Sequence, residues 1–444
     1  MAGLINGVGV KAAGDAEVAA AELRITDGYQ RTKFAIFNLV LEQLETLGIT
    51  AETASAAMIR EGIDQAITRF AAKEGLALNA AERALLAAEV QNEVVGLGPL
   101  EPLLKDPGID DVIVNGPFRI YVERGGQMSA VPARFRDTAH LMNIIQRIVS
   151  PIGRRVDEAT PYVDARLPDG SRVNIVIPPI ALDGPMVSIR KFRAQAMTAQ
   201  DYVRLGSMSQ EMMAFLAAAV RSRLNVLICG GTGSGKTTLL NMLSSYIDEK
   251  ERLITIEDAA ELQLRQSHVV RLETRPPNLD GSREVTARDL VRNALRMRPD
   301  RIILGEVRGA EAVEMLQAMS TGHDGSMATM HANSSRDAFG RLEMLLGFGG
   351  LAGDPKTIRR YVANSIHLVV QVNRLANGKR RVTSVSELTG LEGDSYSLNQ
   401  LFAFDEQPPL SGQGEFKLLS ARPYFGHRLV GAPDLRQPSS RGLT

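Results

Sequence analysis

Asn225-Val226-Leu227-Ile228-Cys229 is a buried-strand pattern that leads directly into Gly230-Gly231-Thr232-Gly233-Ser234-Gly235-Lys236-Thr237-Thr238, and the helical run LLNMLSSYI follows at once. A strand, a G-x-x-x-x-G-K-[ST] loop and a helix in that order constrain the fold more than any other feature of the chain. The glycines let successive backbone N–H groups turn inward on phosphate oxygens, and the N-terminus of the next helix favours negative charge there. Residues 230–238 are therefore read as a nucleotide-binding loop for ATP. Lys236 is expected to reach the β- and γ-phosphates, and Thr237 to ligate Mg²⁺ through its hydroxyl. Beyond residue 205, short apolar strands alternate with helical patterns, which predicts a parallel-sheet α/β domain.

Hydrolysis needs a carboxylate that can position water, and two predicted strands end in carboxylates. RLITIED (252–258) ends in Glu257 and Asp258, and RIILGEVRG (301–309) carries Glu306. Ligands bind beyond the carboxyl ends of strands in open α/β sheets, so both sets can converge on the phosphates. Either cluster alone could be a solvated strand end. A third run, GHDGSMATMHANS (322–334), places His331 after an apolar stretch and before polar Asn333 and Ser334. A lone histidine there is more often a packed, hydrogen-bonded residue, but the position also suits a γ-phosphate sensor.

Upstream, three amphipathic patterns predict a helical bundle over 29–95, after a tail at 1–28. Phe34, Phe37, Leu41 and Leu44 share one face of the first helix, and Met58, Ile59, Ile63, Ile67 and Phe70 one face of the second. Asn79 and Glu82 form a capping-box pattern ahead of Leu85, Leu86, Val90 and Val94 in the third. Such a bundle reads as a docking or oligomerisation module rather than a catalytic one. An α+β domain is expected over 96–192, with strands at 111–116, 119–126 and 186–192, a helix over about 138–149, and a hairpin at 165–177 turning on Asp169-Gly170. Residues 193–205 read as a linker and 431–444 as a second tail.

The chain has 444 residues, too many for one core. Lys+Arg and Asp+Glu are both 51, and tryptophan is absent. That balance gives no global basic field for nucleic acid, and no nucleic-acid partner is expected. The single cysteine, Cys229, allows no intrachain disulfide or four-cysteine zinc site and fits a reducing compartment. The sequence shows no basic-then-apolar leader and no membrane-length apolar run.

Taken in order, GGTGSGKTT, TIEDAAELQL, GEVRG and ATMHANS resemble the motifs of the secretion ATPase superfamily, which serves type II and type IV secretion and type IV pili. GLGPLEPLL, DVIVNG, LPDGSRVNI and VSIRKF look like that group's N-terminal domain, and IHLVVQVNRLANGKRRVTSVSELTGLEGD is similar to its tail. The likeness is greatest to the CpaF-type ATPases of tight-adherence (Tad/Flp) pili and covers roughly residues 30 to 430. It implies a RecA-like ATPase domain over 206–430 behind a small α+β domain and a helical bundle. It further implies a homohexamer, in the cytoplasm and peripheral to the inner membrane, that acts through pilus platform proteins on a prepilin. In this reading Glu306 polarises the attacking water, Glu257 and Asp258 tune the water shell of Mg²⁺, and His331 senses the γ-phosphate. Arg166, Arg172 and Arg190 of the α+β domain reach the nucleotide's phosphates. The alternative is a conjugative or effector type IV secretion ATPase. The long helical extension argues for the pilus branch, and the single cysteine argues against the type II branch. A hexameric nucleic-acid motor, a small-molecule kinase and a catalytically dead scaffold are the remaining classes. DNA-stimulated turnover would mark the first, and absence of phosphate release the last.

Overall fold

The computed structural model describes residues 26–50, 53–192, 197–275, 284–351 and 353–431, with 433 and 435. The tails expected at 1–28 and 431–444 lie almost wholly outside the described residues. The chain divides into two units, Met1–Arg193 and Ala194–Thr444.

The first unit opens with three helices, α1 (Asp27–Thr46), α2 (Ala56–Glu74) and α3 (Ala80–Val95). Each starts on a side-chain cap: Thr26, Ser55, and Asn79 with the full capping box to Glu82. Such caps satisfy backbone N–H groups that the first turn leaves without partners. Between the helices lie Tyr29, Ile36, Val40 and Leu44 of α1, Ile59, Ile63 and Ile67 of α2, and Leu86, Val90 and Val94 of α3. The buried stripe of α1 thus passes through Ile36 and Val40 rather than through Phe37 and Leu41, and Met58 of α2 is exposed. From Phe34 to Leu41 every position of α1 except Asn38 is apolar, so periodicity alone does not choose the face.

A short turn (Gly98–Leu100) and α4 (Glu101–Lys105) lead to a six-stranded antiparallel sheet in the order β3-β2-β1-β6-β5-β4. The strands are β1 (Asp111–Asn115), β2 (Ile120–Arg124), β3 (Gln127–Ala130), β4 (Tyr162–Arg166), β5 (Arg172–Val176) and β6 (Met186–Arg190). α5 (Thr138–Val149) covers one face with Leu141, Ile144, Ile145 and Ile148. Gly170, at φ +92°, makes the predicted β4–β5 turn. A charged trio is buried in this unit: Glu93 accepts from Lys33 Nζ and pairs with His140 Nε2, each at 2.8 Å.

The second unit begins where the sequence reads as a linker. Within that stretch Ala199–Arg204 forms a helix, α6, capped by Thr198 and Asp201, with Tyr202 buried. α7 (Gln210–Arg221) precedes a nine-stranded sheet of order β15-β14-β13-β12-β7-β11-β10-β8-β9. Six strands are parallel: β7 (Val226–Gly230), β8 (Leu253–Glu257), β9 (Val269–Glu273), β10 (Arg301–Val307), β11 (Met327–His331) and β12 (Leu368–Arg374). β13 (Arg380–Glu392), β14 (Ser395–Glu406) and β15 (Gly414–Leu418) extend one edge antiparallel. On one face α7 and α8 (Lys236–Ser244) pack Phe215, Leu216, Leu239 and Leu243 against Val226, Ile228 and Val370. On the other, α10 (Glu311–Ser320) and α11 (Ser335–Phe348) bring Leu316, Met319, Leu342 and Leu345 to Leu227, Cys229, Leu304 and Met330. α9 (Ala287–Ala294) and α12 (Pro355–Ser365) complete the layer. Central strands buried on both faces are the mark of a parallel sheet sandwiched by helices. No helix among the described residues is long and apolar enough to cross a membrane.

Candidate nucleotide site

Strand register brings the sequence-predicted residues of the second unit to one edge. β7 ends at Gly230, and His331 of β11 is its direct neighbour across the ladder. On the far side of β11, Val307 of β10 pairs with Met330, which puts Glu306 beside the histidine strand. β8 pairs with β10, and the Glu257 side chain abuts Gly305, where a β-carbon would stand 2.9 Å from its Cγ. The loop, His331, Glu306 and Glu257 thus stand at the carboxyl ends of four neighbouring parallel strands.

The loop holds its shape through backbone conformations open to glycine. Gly233 and Gly235 have φ of +67° and +98°, and Gly235 is the residue before α8. The Ser234 N–H turns into the loop toward the Gly231 carbonyl at 3.4 Å, and Lys236 Nζ donates to that same carbonyl at 2.9 Å. Lys236 is therefore folded over the cradle, almost buried. Thr237 and Thr238 lie in the first turn of α8, at its electropositive end.

The carboxylates differ sharply. Glu306 is partly exposed and accepts from Arg308 Nη2 at 2.6 Å, while Arg308 Nη1 lies 3.3 Å from Asp258. One guanidinium therefore bridges Glu306 and Asp258. Glu257 is buried: its Oε2 accepts from the N–H groups of Glu261 and Leu262, at 2.7 and 2.9 Å. Its Oε1 is buried without a hydrogen-bond partner among the described residues. Burial outweighs those two donors and holds the Glu257 carboxyl above its ordinary range. The Glu257 side chain is thus built into the chain reversal at 257–262, whereas Glu306 keeps an accessible oxygen.

A residue absent from the sequence reading positions this pair. Glu311, at the start of α10, accepts from the N–H groups of Arg308 and Gly309 at 2.6 and 2.8 Å. It fixes the turn that carries Arg308, and its only signal in sequence is an acidic residue opening a helix just beyond GEVRG. Behind His331, Gln371 of β12 donates to the Ala332 carbonyl at 3.2 Å.

No group of three or more His, Cys, Asp or Glu among the described residues could hold a metal ion by itself. A divalent ion here must complete its shell with phosphate oxygens and water, as Mg²⁺ does in nucleotide sites. The donor set present, the Thr237 hydroxyl with nearby carboxylates and the orphaned Glu257 Oε1, fits that role.

Arg166, Arg172 and Arg190 belong to the first unit. They occupy one register across three strands, Arg166 opposite Arg172 and Arg172 opposite Arg190. Directly paired residues share a face of a sheet, so three guanidinium groups form a strip.

A phosphate loop on a parallel sheet, with a basic residue in the cradle and carboxylates at the adjoining strand ends, defines a P-loop ATPase. The profile of the family described as type II/IV secretion system protein matches residues 93–389, and the chain belongs to that family, whose members hydrolyse ATP. A Mycobacterium tuberculosis protein provisionally named as a conjugal transfer protein is 39% identical over 310 residues, 68% of this chain and 88% of that one. The type IV secretion system protein VirB11 of Bartonella quintana is 30% identical over 342 residues, 67% of this chain and 94% of its own. Among solved structures, the VirB11 ATPase of the Brucella suis type IV secretion system, in complex with sulphate, is 33% identical. That alignment covers 65% of this chain and 94% of that one, with a TM-score of 0.36.

Proposed function

We propose that this chain is the ATP-hydrolysing motor of a type IV secretion or conjugal-transfer machine, a homohexamer in the cytoplasm, bound peripherally at the inner membrane. The observation that carries the reading is the shared strand edge, where loop 230–238, His331, Glu306 and Glu257 stand together. The names borne by the relatives support this choice of machine over the pilus branch. A second reading, the motor that assembles or retracts a Tad/Flp pilus through platform proteins acting on a prepilin, has one observation in its favour. The family match begins at Glu93, so α1, α2 and most of α3 lie outside it.

ATP is the substrate. The loop N–H groups hold its phosphates, and Lys236 exchanges the Gly231 carbonyl for the β- and γ-phosphate oxygens. Mg²⁺, when bound, neutralises phosphate charge; Thr237 would hold it directly, with Glu257, Asp258 and Glu306 acting through water. Glu306 then leaves Arg308, orients the attacking water and takes its proton, yielding ADP and phosphate. His331, next to the loop's first glycine, reads the γ-phosphate. The test is phosphate release by the native protein and by Lys236→Ala. The variant is expected to bind ATP weakly and turn over none, and equal turnover would refute the site. In cells lacking the protein, loss of conjugal or effector transfer with pili intact supports the first machine; loss of pili with transfer intact supports the second.

A further inference from the structure

The phosphate loop is gripped from outside by a part of the chain more than a hundred residues away. β12 and β13 form a hairpin in which Arg374 and Arg380 stand directly opposite one another, joined by residues 375–379. The hairpin runs beside the loop. A β-carbon on Gly230 would collide with the Val372 carbonyl, and one on Gly235 would stand 3.5 Å from Arg380 Cδ. One on Gly233 would stand 3.9 Å from Arg374 Nη1. At the crest, Arg380 Nε donates to the Gly233 carbonyl at 2.8 Å. We propose that Arg380 is a positioning residue for nucleotide binding: from this hairpin it fixes the Gly233–Ser234 peptide so that the Ser234 N–H faces the phosphates.

In a trans peptide the carbonyl and the following N–H point in opposite directions. Drawing the Gly233 oxygen outward to Arg380 therefore turns the Ser234 N–H inward, where it already lies toward the Gly231 carbonyl. Gly233, with a positive φ and no side chain, adds no side-chain contact of its own to hold that orientation. The arginine is partly buried, its Nε is the donor used, and a guanidinium keeps its charge at any working pH. Because Arg380 acts through the loop, its loss should weaken binding of ADP and ATP alike.

This inference rests on the nucleotide reading of the loop. The test is titration of the full-length protein with a fluorescent ADP analogue, beside steady-state ATP hydrolysis, for native protein, Arg380→Ala and Arg380→Lys. Loss of one charge-assisted hydrogen bond predicts a rise of about tenfold in Kd and KM for Arg380→Ala, with kcat falling by less than that. Arg380→Lys should recover most of the affinity, because its ammonium can donate to the same carbonyl. A generally loosened fold would lower kcat and melting temperature together and would not be rescued by lysine. Unchanged Kd in Arg380→Ala, or a fall in kcat with Kd intact, overturns the inference while leaving the nucleotide site standing. Native protein that binds no ADP overturns both.

Discussion

Replacing Glu306 with glutamine separates binding from chemistry with the least disturbance. The amide has nearly the same shape, and its oxygen can still accept from Arg308 Nη2, which lies 2.6 Å from Glu306 Oε2. What the variant loses is the ability to take a proton from water. A positioned general base contributes on the order of a hundredfold to ten-thousandfold, so turnover should fall at least about a hundredfold. ATP affinity should stay within about threefold, since no phosphate contact is removed. The competing effect is release of the Arg308 bridge. Arg308 has 61% of its side chain exposed, and an exposed pair of this kind is worth about 1 kcal/mol or less. Breaking the bridge alone, as in Arg308→Ala, should therefore move turnover by no more than about fivefold. The two variants differ by more than an order of magnitude, which a phosphate-release assay at saturating ATP resolves, with binding followed by fluorescent analogue. Glutamine at Glu306 turning over within fivefold of native protein would refute the assignment. Glu257→Gln is the control, because its remaining oxygen can keep the N–H bonds of Glu261 and Leu262. A hundredfold loss there, with the fold intact, would move the base to Glu257.

His367 is held neutral because burial, and then the facing Arg428 guanidinium, push its pKa down to about 4, against the weaker pull of Asp324. The unfolded chain takes up that proton below pH 6.5, so stability is full above 6.5 and falls as pH drops toward 4. Urea unfolding should show native protein losing about 2 kcal/mol more between pH 7 and pH 5 than His367→Gln, whose oxygen can still accept from the Asn225 N–H. Equal slopes would contradict that account. Cys229 is fully buried with its thiol pushed up to about 12, so a thiol reagent at pH 8 should label it only as urea unfolds the sheet; labelling of native protein at the rate of a free thiol would show the strand open.

The elements read correctly from sequence are those whose cause is local. The strand, loop and helix that begin at 225, the Asn79–Glu82 box, the Asp169-Gly170 turn and the helix at 138–149 each declare themselves within about two dozen residues or fewer. Where two local signals compete, the reading slips. α1 carries Phe34, Ile36, Phe37, Leu39, Val40 and Leu41, and only contact with α2 and α3 selects Ile36 and Val40 for the core. Polar burial escapes altogether: Lys33, Glu93 and His140 interrupt apolar faces, and nothing near any of them announces that they satisfy one another across 60 and 47 residues.

The same division runs through the candidate site. Lys236 and Thr237 are legible because the chemistry of a phosphate cradle fixes their spacing within one loop. Glu306, Glu257 and His331 are legible only as ends of apolar strands, and what joins them is the sheet order, which no strand reveals alone. That order is what a parallel sheet produces generally: each strand brings one residue to a common edge, so a site can be assembled from segments far apart in the chain, as Gly230, Glu257, Glu306 and His331 are here. Residues that orient the edge rather than form it leave no such mark. Glu311 aims Arg308 by accepting two backbone N–H groups, and Arg380 reaches Gly233 across 147 residues from an antiparallel hairpin. Both act on backbone, which every residue presents alike, so neither imposes a residue pattern at the place it acts on. A sequence reading therefore recovers the groups that meet the substrate and passes over those that aim them.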